Sequence, residues 1–158
     1  MQNSSPEPPP TTALHKLGWR GEELAAAFLM QTGYQIVASN FTIPVGRNRN
    51  DAIVNVEVDL VADEGPTFCV VEVKTRSADW FAPPAANGDL RKQRQIMRAS
   101  RAYRRMFGFS DTPCRYDVVS IVLPPSNESL LGLQIELLRN FWSEEKFRKR
   151  HSPERYWD

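Results

Sequence analysis

Two valine-rich runs decide the fold of this chain: residues 56–62, which read VEVDLVA, and residues 68–76, which read FCVVEVKTR. The segment between them contains Asp63-Glu64-Gly65-Pro66, a composition typical of a turn. Runs of β-branched residues bounded by turn residues predict strands, so the two runs predict a hairpin.

The charges within these two predicted strands are unusual. Side chains alternate between the faces of a strand, so Glu57 and Asp59 share one face of the first strand, and Glu72 and Lys74 share one face of the second. A core strand normally excludes charge, because an unpaired buried carboxylate is costly. The pattern predicts that three carboxylates and one ammonium group gather at neighbouring strand ends, which is the chemistry of a divalent-metal site with a lysine beside it.

The composition is that of an ordinary soluble domain, with 41% hydrophobic residues, 25% charged residues and a formal net charge of +1. Net charge therefore predicts no nucleic-acid partner, and such a partner has to be argued from local clusters. The two cysteines, Cys69 and Cys114, form no metal-binding or disulfide pattern and are expected to be reduced. No membrane span or signal sequence is evident, so a cytoplasmic location is expected.

The order of predicted elements indicates an α/β fold with a mixed sheet flanked by helices. Helical periodicity appears over residues 13–32 and 89–107, and strands are predicted at 34–41, 53–62, 67–75, 115–123 and 131–138. We expect a disordered, proline-rich tail at 1–12, a domain at 13–142, a loop at 44–51 and a charged C-terminal tail at 143–158.

The predicted second helix is strongly basic. Its arginines recur at three- and four-residue spacing and form one stripe: Arg91, Arg94, Arg98, Arg101 and Arg105. The stripe favours contact with a polyanion, and the alternative is a solvated basic face paired to acids elsewhere. Lys92 and Gln93 lie in the first turn, where a phosphate gains from the helix dipole.

The first helix contributes a further acid. Glu22 lies at the margin of its apolar face, where it is either a surface acid or the completion of the acidic cluster. Gly18 and Gly21 weaken this helix, which suggests that another segment approaches closely there. Asp117 is an additional candidate acid, although an ion pair with Arg115 or with the basic helix explains it equally well. The aromatic pair Trp80 and Phe81 could stack on a base or fold back onto the domain.

Asp59 and Glu72 are the pair of carboxylates that would bind Mg²⁺, which prefers oxygen ligands and completes its shell with water and phosphate. Lys74 would orient the attacking water or stabilise charge on the phosphate. The alternative is a salt bridge at the strand edge between Glu72 and Lys74 or Arg76.

Over residues 18–142 the chain resembles the YraN family of small bacterial proteins, which are related to restriction-endonuclease-like nucleases and archaeal Holliday-junction resolvases. The resemblance is carried by GxxGExxA at 18–25, EVDLVA at 57–62, VEVKTR at 71–76, AxxAY at 99–103 and RYDVV at 115–119. The segment between Asn40 and Glu57 is longer than is usual in the family, with an insertion at about 44–55.

The resemblance implies an αβββαβ core and a PD-(D/E)XK active site. Asp59, Glu72 and Lys74 match the motif, Glu22 matches the helical acid of the resolvase metal site, and Lys92 or Gln93 matches a supporting polar position. It also implies Mg²⁺ or Mn²⁺ as cofactor and DNA as partner, and it allows a homodimer, as in related resolvases.

Two functions follow as hypotheses. The first is a metal-dependent DNA endonuclease acting on branched or damaged DNA, with the arginine stripe on the phosphates. The second is a non-catalytic DNA-binding or assembly module on a nuclease scaffold, because a fold does not guarantee its activity.

Overall fold

The computed structural model describes residues 14–77, 90–124 and 131–147, with side chains from residue 21 onward except that of Lys146. Its elements follow in the order α1 (Leu14–Thr32), β1 (Gln35–Arg47), β2 (Ile53–Glu64), β3 (Thr67–Ser77), α2 (Leu90–Met106), β4 (Cys114–Leu123), β5 (Gln134–Trp142) and a short 3-10 helix at Glu144–Phe147. The α/β class and the αβββαβ order are confirmed. The expected tail at 1–12, the aromatic pair Trp80 and Phe81, and residues 148–158 lie outside the described residues.

The five strands form one mixed sheet in the order β1-β2-β3-β4-β5. β3 and β4 are parallel, whereas the other neighbouring strands are antiparallel. Parallel neighbours need a long crossover, and α2 lies within the one that joins β3 to β4.

β3 is buried on both faces, because a helix covers each side of the sheet. Phe68 and Val70 belong to the apolar cluster that includes Ile96 of α2. Cys69 and Val71 alternate with them and belong to the cluster that includes Leu29 of α1. This double coverage explains why the strand reads as an unbroken apolar run before its charged end.

The prediction of a loop at 44–51 is wrong for the first half of that range, which is part of a strand. β1 continues through Pro44 to Arg47, and its pairing with β2 extends to Arg47 opposite Ile53. Pro44 is tolerated because β1 is an edge strand, where a missing N–H leaves no ladder position empty. The inserted residues therefore lengthen a hairpin.

The tip of this long hairpin is held by its own hydrogen bonds. The side-chain oxygen of Asn48 accepts from the backbone N–H groups of Asn50 (2.9 Å) and Ala52 (3.0 Å). Asp51 adopts a left-handed conformation with φ of 60°, which asparagine and aspartate tolerate better than most residues. The sequence signals of a loop at 48–51 thus mark a tight turn.

β5 also differs from its prediction, since it begins at Gln134 and ends at Trp142. The ring of Trp142 stacks on that of Tyr116 in β4, with centroids 3.9 Å apart. Both rings are buried and the two residues pair across the strands, which extends β5 four residues beyond the predicted end at 138.

None of the helices in the described ranges is long and apolar enough to cross a membrane.

Candidate metal centre and basic face

Three carboxylates converge where α1 meets β2. One oxygen each from Glu22, Glu57 and Asp59 lies within 4.8 Å of the others. Glu57 is exposed, whereas Glu22 and Asp59 are partly buried. The structure therefore brings together three of the acids expected in the cluster, Glu22, Glu57 and Asp59. The resemblance implies Asp59, Glu72 and Glu22 as the metal ligands, whereas the alternation of the Glu-x-Asp sequence is the signal that places Glu57 on the face of Asp59.

A close contact between α1 and β3 positions Glu22. A Cβ atom at position 21 would overlap Oγ1 of Thr75 and lie 3.1 Å from its Cβ, so glycine lets the helix approach the strand this closely. This contact explains one of the two weakening glycines in α1. Because Glu22 follows Gly21 directly, the same contact sets the position of its carboxylate over the sheet.

Asp59 lies at an irregularity of the sheet. Val58 and Val61 both belong to the cluster beneath α2, although strict alternation would place them on opposite faces. The β1–β2 register passes from Leu60 opposite Ser39 to Val58 opposite Phe41, so Asp59 and Asn40 lie between these two pairs, and Asn40 has a φ of 46°. Both strands thus shift their alternation at this position, which moves Glu57 and Asp59 to the α1 side.

The Asp59 carboxylate also closes the gap between β2 and β3. Backbone pairing of these strands is regular from Glu64 opposite Thr67 as far as Leu60 opposite Val71. Beyond that point, Oδ2 of Asp59 accepts a hydrogen bond of 2.8 Å from the backbone N–H of Val73. Asp59 therefore lies directly alongside the Glu72-Val73-Lys74 segment.

Glu72 and Lys74 are on the other face of β3. Val73 packs in the cluster beneath α1, so alternation directs its two neighbours toward the α2 side. The Lys74 ammonium lies 5.2 Å from the ring centroid of Phe141, in cation–π contact. Glu72 is partly buried and is not a member of the three-carboxylate group. The charged groups of β2 and β3 thus lie at neighbouring strand ends, but alternation directs Glu72 and Lys74 to the face opposite the three-carboxylate group.

The electrostatics of the cluster reflect crowding of like charges. Burial, together with the negative charges of Asp59 and Glu57, raises the pKa of Glu22 to about 6. Burial also raises the pKa of Asp59, although the Val73 N–H and the positive charge of Lys92 act in the opposite direction. A bound cation would relieve this repulsion.

The first turn of α2 contributes to the same region. Lys92 is exposed and near enough to Asp59 to act on its pKa. Gln93 is only 2% exposed, which is low for a polar side chain. Lys92 thus lies near Asp59 on the α2 side. Asp59 is between Glu22 with Glu57 on one side and the β3 face that carries Glu72 and Lys74 on the other.

The five arginines of the α2 stripe are all exposed, yet they differ in their contacts. Arg101 donates to Oε2 of Glu144 at 3.1 Å, and Arg94 lies 5.4 Å from the centroid of the Phe147 ring. Arg98 and Arg105 make no ion pair within the described residues. Within the stripe, Arg101 is therefore ion-paired to Glu144, whereas Arg98 and Arg105 are exposed and have no acidic partner among the described residues.

Asp117 has a structural role in the sheet. It is 1% exposed and accepts hydrogen bonds from the Tyr34 hydroxyl (2.8 Å), the Arg115 guanidinium (2.8 and 2.9 Å) and the backbone N–H of Asn140 (2.8 Å). Of the two explanations that the sequence allowed, the ion pair with Arg115 is confirmed. A carboxylate with this many donors is satisfied within the protein.

A mixed five-stranded sheet between two helices, with carboxylates of the first helix and second strand converging, is consistent with the αβββαβ core of the restriction-endonuclease-like class. The chain belongs to the YraN family: the family model described as "Uncharacterised protein family UPF0102" matches residues 21–121.

Individual relatives agree over most of the chain. A UPF0102 protein of Chlorobium chlorochromatii is 36% identical over 140 residues, covering 87% of this chain and 98% of the relative. One of Moorella thermoacetica is 32% identical over 125 residues, with 79% and 95% covered. One of Geobacter sulfurreducens is 39% identical over 107 residues, with 68% and 76% covered. The range matched by the family model includes most of α1, the charged strands and α2.

Proposed function

We propose that this protein is a divalent-metal-dependent DNA endonuclease of the PD-(D/E)XK type, which hydrolyses phosphodiester bonds. The observation that carries the proposal is the convergence of Glu22, Glu57 and Asp59, whose carboxylate oxygens lie within 4.8 Å of one another. Clustered acids with a raised Glu22 pKa are costly for a structural role, since each repels the others.

The donor set fits Mg²⁺ or Mn²⁺. Hard cations prefer carboxylate oxygens, and small side-chain movements would bring these oxygens to metal–oxygen distances of about 2.1 Å. In this chain Asp59, Glu22 and Glu57 would bind the metal, with Glu72 reaching the edge of the site from β3. Bound there, the cation would lower the pKa of a water molecule and offset charge on the phosphate.

The two lysines near the acids would bind the phosphate of the substrate. Lys74 and Lys92 present ammonium groups on the α2 side of Asp59, where they would attract the scissile phosphate and hold it against the acids. Gln93, in the same turn of α2 as Lys92, is 2% exposed. Orientation of the phosphate by fixed charges is the main contribution that protein groups make to phosphoryl transfer.

The experiment is cleavage of labelled linear, flap and four-way-junction DNA in Mg²⁺ or Mn²⁺. Wild type is compared with Asp59→Asn, Glu22→Gln and Lys74→Ala, and Glu23→Gln is the matched control, because Glu23 is exposed and adjacent to Glu22 but outside the cluster. We expect metal-dependent cutting that the control retains and the first three variants lose by roughly 10²-fold or more.

Cutting of junctions or flaps in preference to linear duplex would support a structure-selective enzyme. Binding without cutting by wild type would contradict the endonuclease and favour the DNA-binding module. Equal cutting by Asp59→Asn and wild type would show that the activity comes from elsewhere.

A further inference from the structure

A groove of about 440 Å³ lies between the outer side of α2 and the long β1–β2 hairpin. Four arginines line it: Arg47 of β1 and Arg98, Arg101 and Arg105 of α2. The α2 arginines form part of the stripe seen in the sequence, whereas Arg47 comes from the lengthened hairpin. Only the tertiary structure brings these two sources of positive charge together.

The positive charge of the groove exceeds the negative charge around it. Arg101 shares Glu144 with Arg104, and Arg47 has the exposed Asp51 at 3.8 Å. Arg98 and Arg105 have no acidic partner among the residues that the structure describes. Four guanidinium groups around one cavity repel one another, and an anion with several acceptor oxygens would offset that repulsion.

The hairpin side of the groove is held in place before any ligand binds. Arg47 donates a hydrogen bond of 2.8 Å to the backbone oxygen of Asp51, which orients its guanidinium while leaving other N–H groups free to donate. Gly46 has a φ of 144°, a conformation that glycine adopts readily. Its lack of a side chain leaves backbone exposed at the groove wall, next to Arg47.

We propose that this groove is a phosphate-binding site for the backbone of a nucleic acid, separate from the metal centre. Its α2 arginines follow Lys92 by 6 to 13 residues, or about 9 to 20 Å along the helix. At about 3.4 Å per base pair, this distance corresponds to a few base pairs. The lengthened hairpin thereby extends the contact with the backbone beyond the bond to be cut. This inference rests on the proposed function in one respect: the phosphates bound in the groove belong to the nucleic acid that the metal centre would cut.

The test is fluorescence anisotropy of a labelled DNA duplex titrated with protein in EDTA, over a series of salt concentrations. The groove variants are Arg47→Ala and the double variant Arg98→Ala/Arg105→Ala, which spare the ion-paired Arg101. Arg49→Ala is the matched control, because Arg49 is exposed on the same hairpin turn and carries the same charge but does not line the groove. Thermal unfolding of each variant verifies that it is folded.

We expect the double variant to bind at least about tenfold more weakly, since hydrogen bonds to charged groups contribute at this level. The slope of log Kd against log salt should fall by about 0.9 for each phosphate that the variant no longer neutralises. Arg49→Ala should match wild type. If the groove variants bind like Arg49→Ala, or if wild type shows no salt-dependent binding, the groove is not a backbone site.

Polyglutamate of matched charge distinguishes the kind of ligand. Equal competition by polyglutamate and by unlabelled duplex would overturn the nucleic-acid assignment in favour of a general polyanion surface. Because EDTA removes the metal, the test does not depend on cleavage. Binding that depends on the groove arginines, without any cutting, would therefore support the groove as a phosphate site and contradict the endonuclease. Cutting that the groove variants leave unchanged at low and high salt would support the endonuclease and contradict the groove.

Discussion

The carboxylate of Asp59 accepts a hydrogen bond from the backbone N–H of Val73, with Oδ2 and N 2.8 Å apart. This bond lies just beyond the last regular backbone pair of β2 and β3, Leu60 with Val71. It fixes Asp59 between two sets of charged groups. On the α1 side are Glu22 and Glu57, and on the α2 side are the charges carried by β3 and Lys92.

Glu57 is expected to matter for metal binding as much as Glu22. Saturation of the site with Mg²⁺ should raise the melting temperature of wild type by roughly 5 to 10 °C at about 100 times the Kd. Glu57→Gln and Glu22→Gln should each lose most of this increase, because each removes one charged ligand. The measurement is thermal unfolding with and without Mg²⁺, with the exposed Glu136→Gln of β5 as control. A full increase in Glu57→Gln would exclude that residue from the site.

The raised pKa of Glu22 predicts a pH dependence of stability in the absence of metal. The folded protein holds this proton up to about pH 6, whereas the unfolded chain releases it near 4.5. The contribution to stability is therefore fully present below pH 4.5 and is lost as the pH rises through 6. Glu22→Gln should flatten this part of the profile and be more stable than wild type at pH 7.5 in EDTA. Urea unfolding across this range measures the effect, and Glu23→Gln should follow wild type.

The contact between Gly21 and Thr75 predicts a change of sign between two backgrounds. Gly21→Ala in wild type should destabilise the protein by roughly 1 to 3 kcal/mol, because the new methyl group would overlap Thr75 Oγ1. In a Thr75→Gly background the Oγ1, Cβ and Cγ2 atoms that the methyl group meets are all absent, and the same substitution should stabilise the helix by up to about 1 kcal/mol. A double-mutant cycle by chemical denaturation measures both effects. Destabilisation of equal size in the two backgrounds would contradict the contact.

Asp117→Asn is expected to destabilise the protein by about 1 to 3 kcal/mol, because a neutral amide is a weaker acceptor for Arg115, which keeps its ion pair with Glu64 at 2.9 Å. The buried Tyr34 hydroxyl would lose a charged acceptor as well. Chemical denaturation measures the loss. Nucleic-acid binding per folded molecule should be unchanged, since Asp117 is 1% exposed and satisfied within the sheet. A selective loss of binding in a stable variant would instead give Asp117 a direct functional role.

Much of the fold could be predicted from local patterns. The helical spacing in α1 and α2 and the valine-rich runs of β2 and β3 are properties of short segments, so their class and order were predicted. The extended hairpin was not, because Pro44 and Gly46 resemble loop residues. Whether Pro44 ends a strand depends on whether that strand is at the edge of the sheet, and short segments carry no information about edges.

The candidate site shows the same division between local pattern and tertiary structure. The Glu-x-Asp and Glu-x-Lys spacings placed each pair on a common face of its own strand. They did not determine which helix each face meets, because one irregular position at Asp59 and Asn40 shifts the alternation of β2. The sequence by itself determined the element order, the presence of acids on β2 and β3 and the basic stripe of α2. Tertiary structure alone decided that Glu57 joins Glu22, that Arg47 joins Arg98 and Arg105, and that Asp117 is structural. Each of these depends on contacts between residues far apart in the chain, which local spacing does not encode.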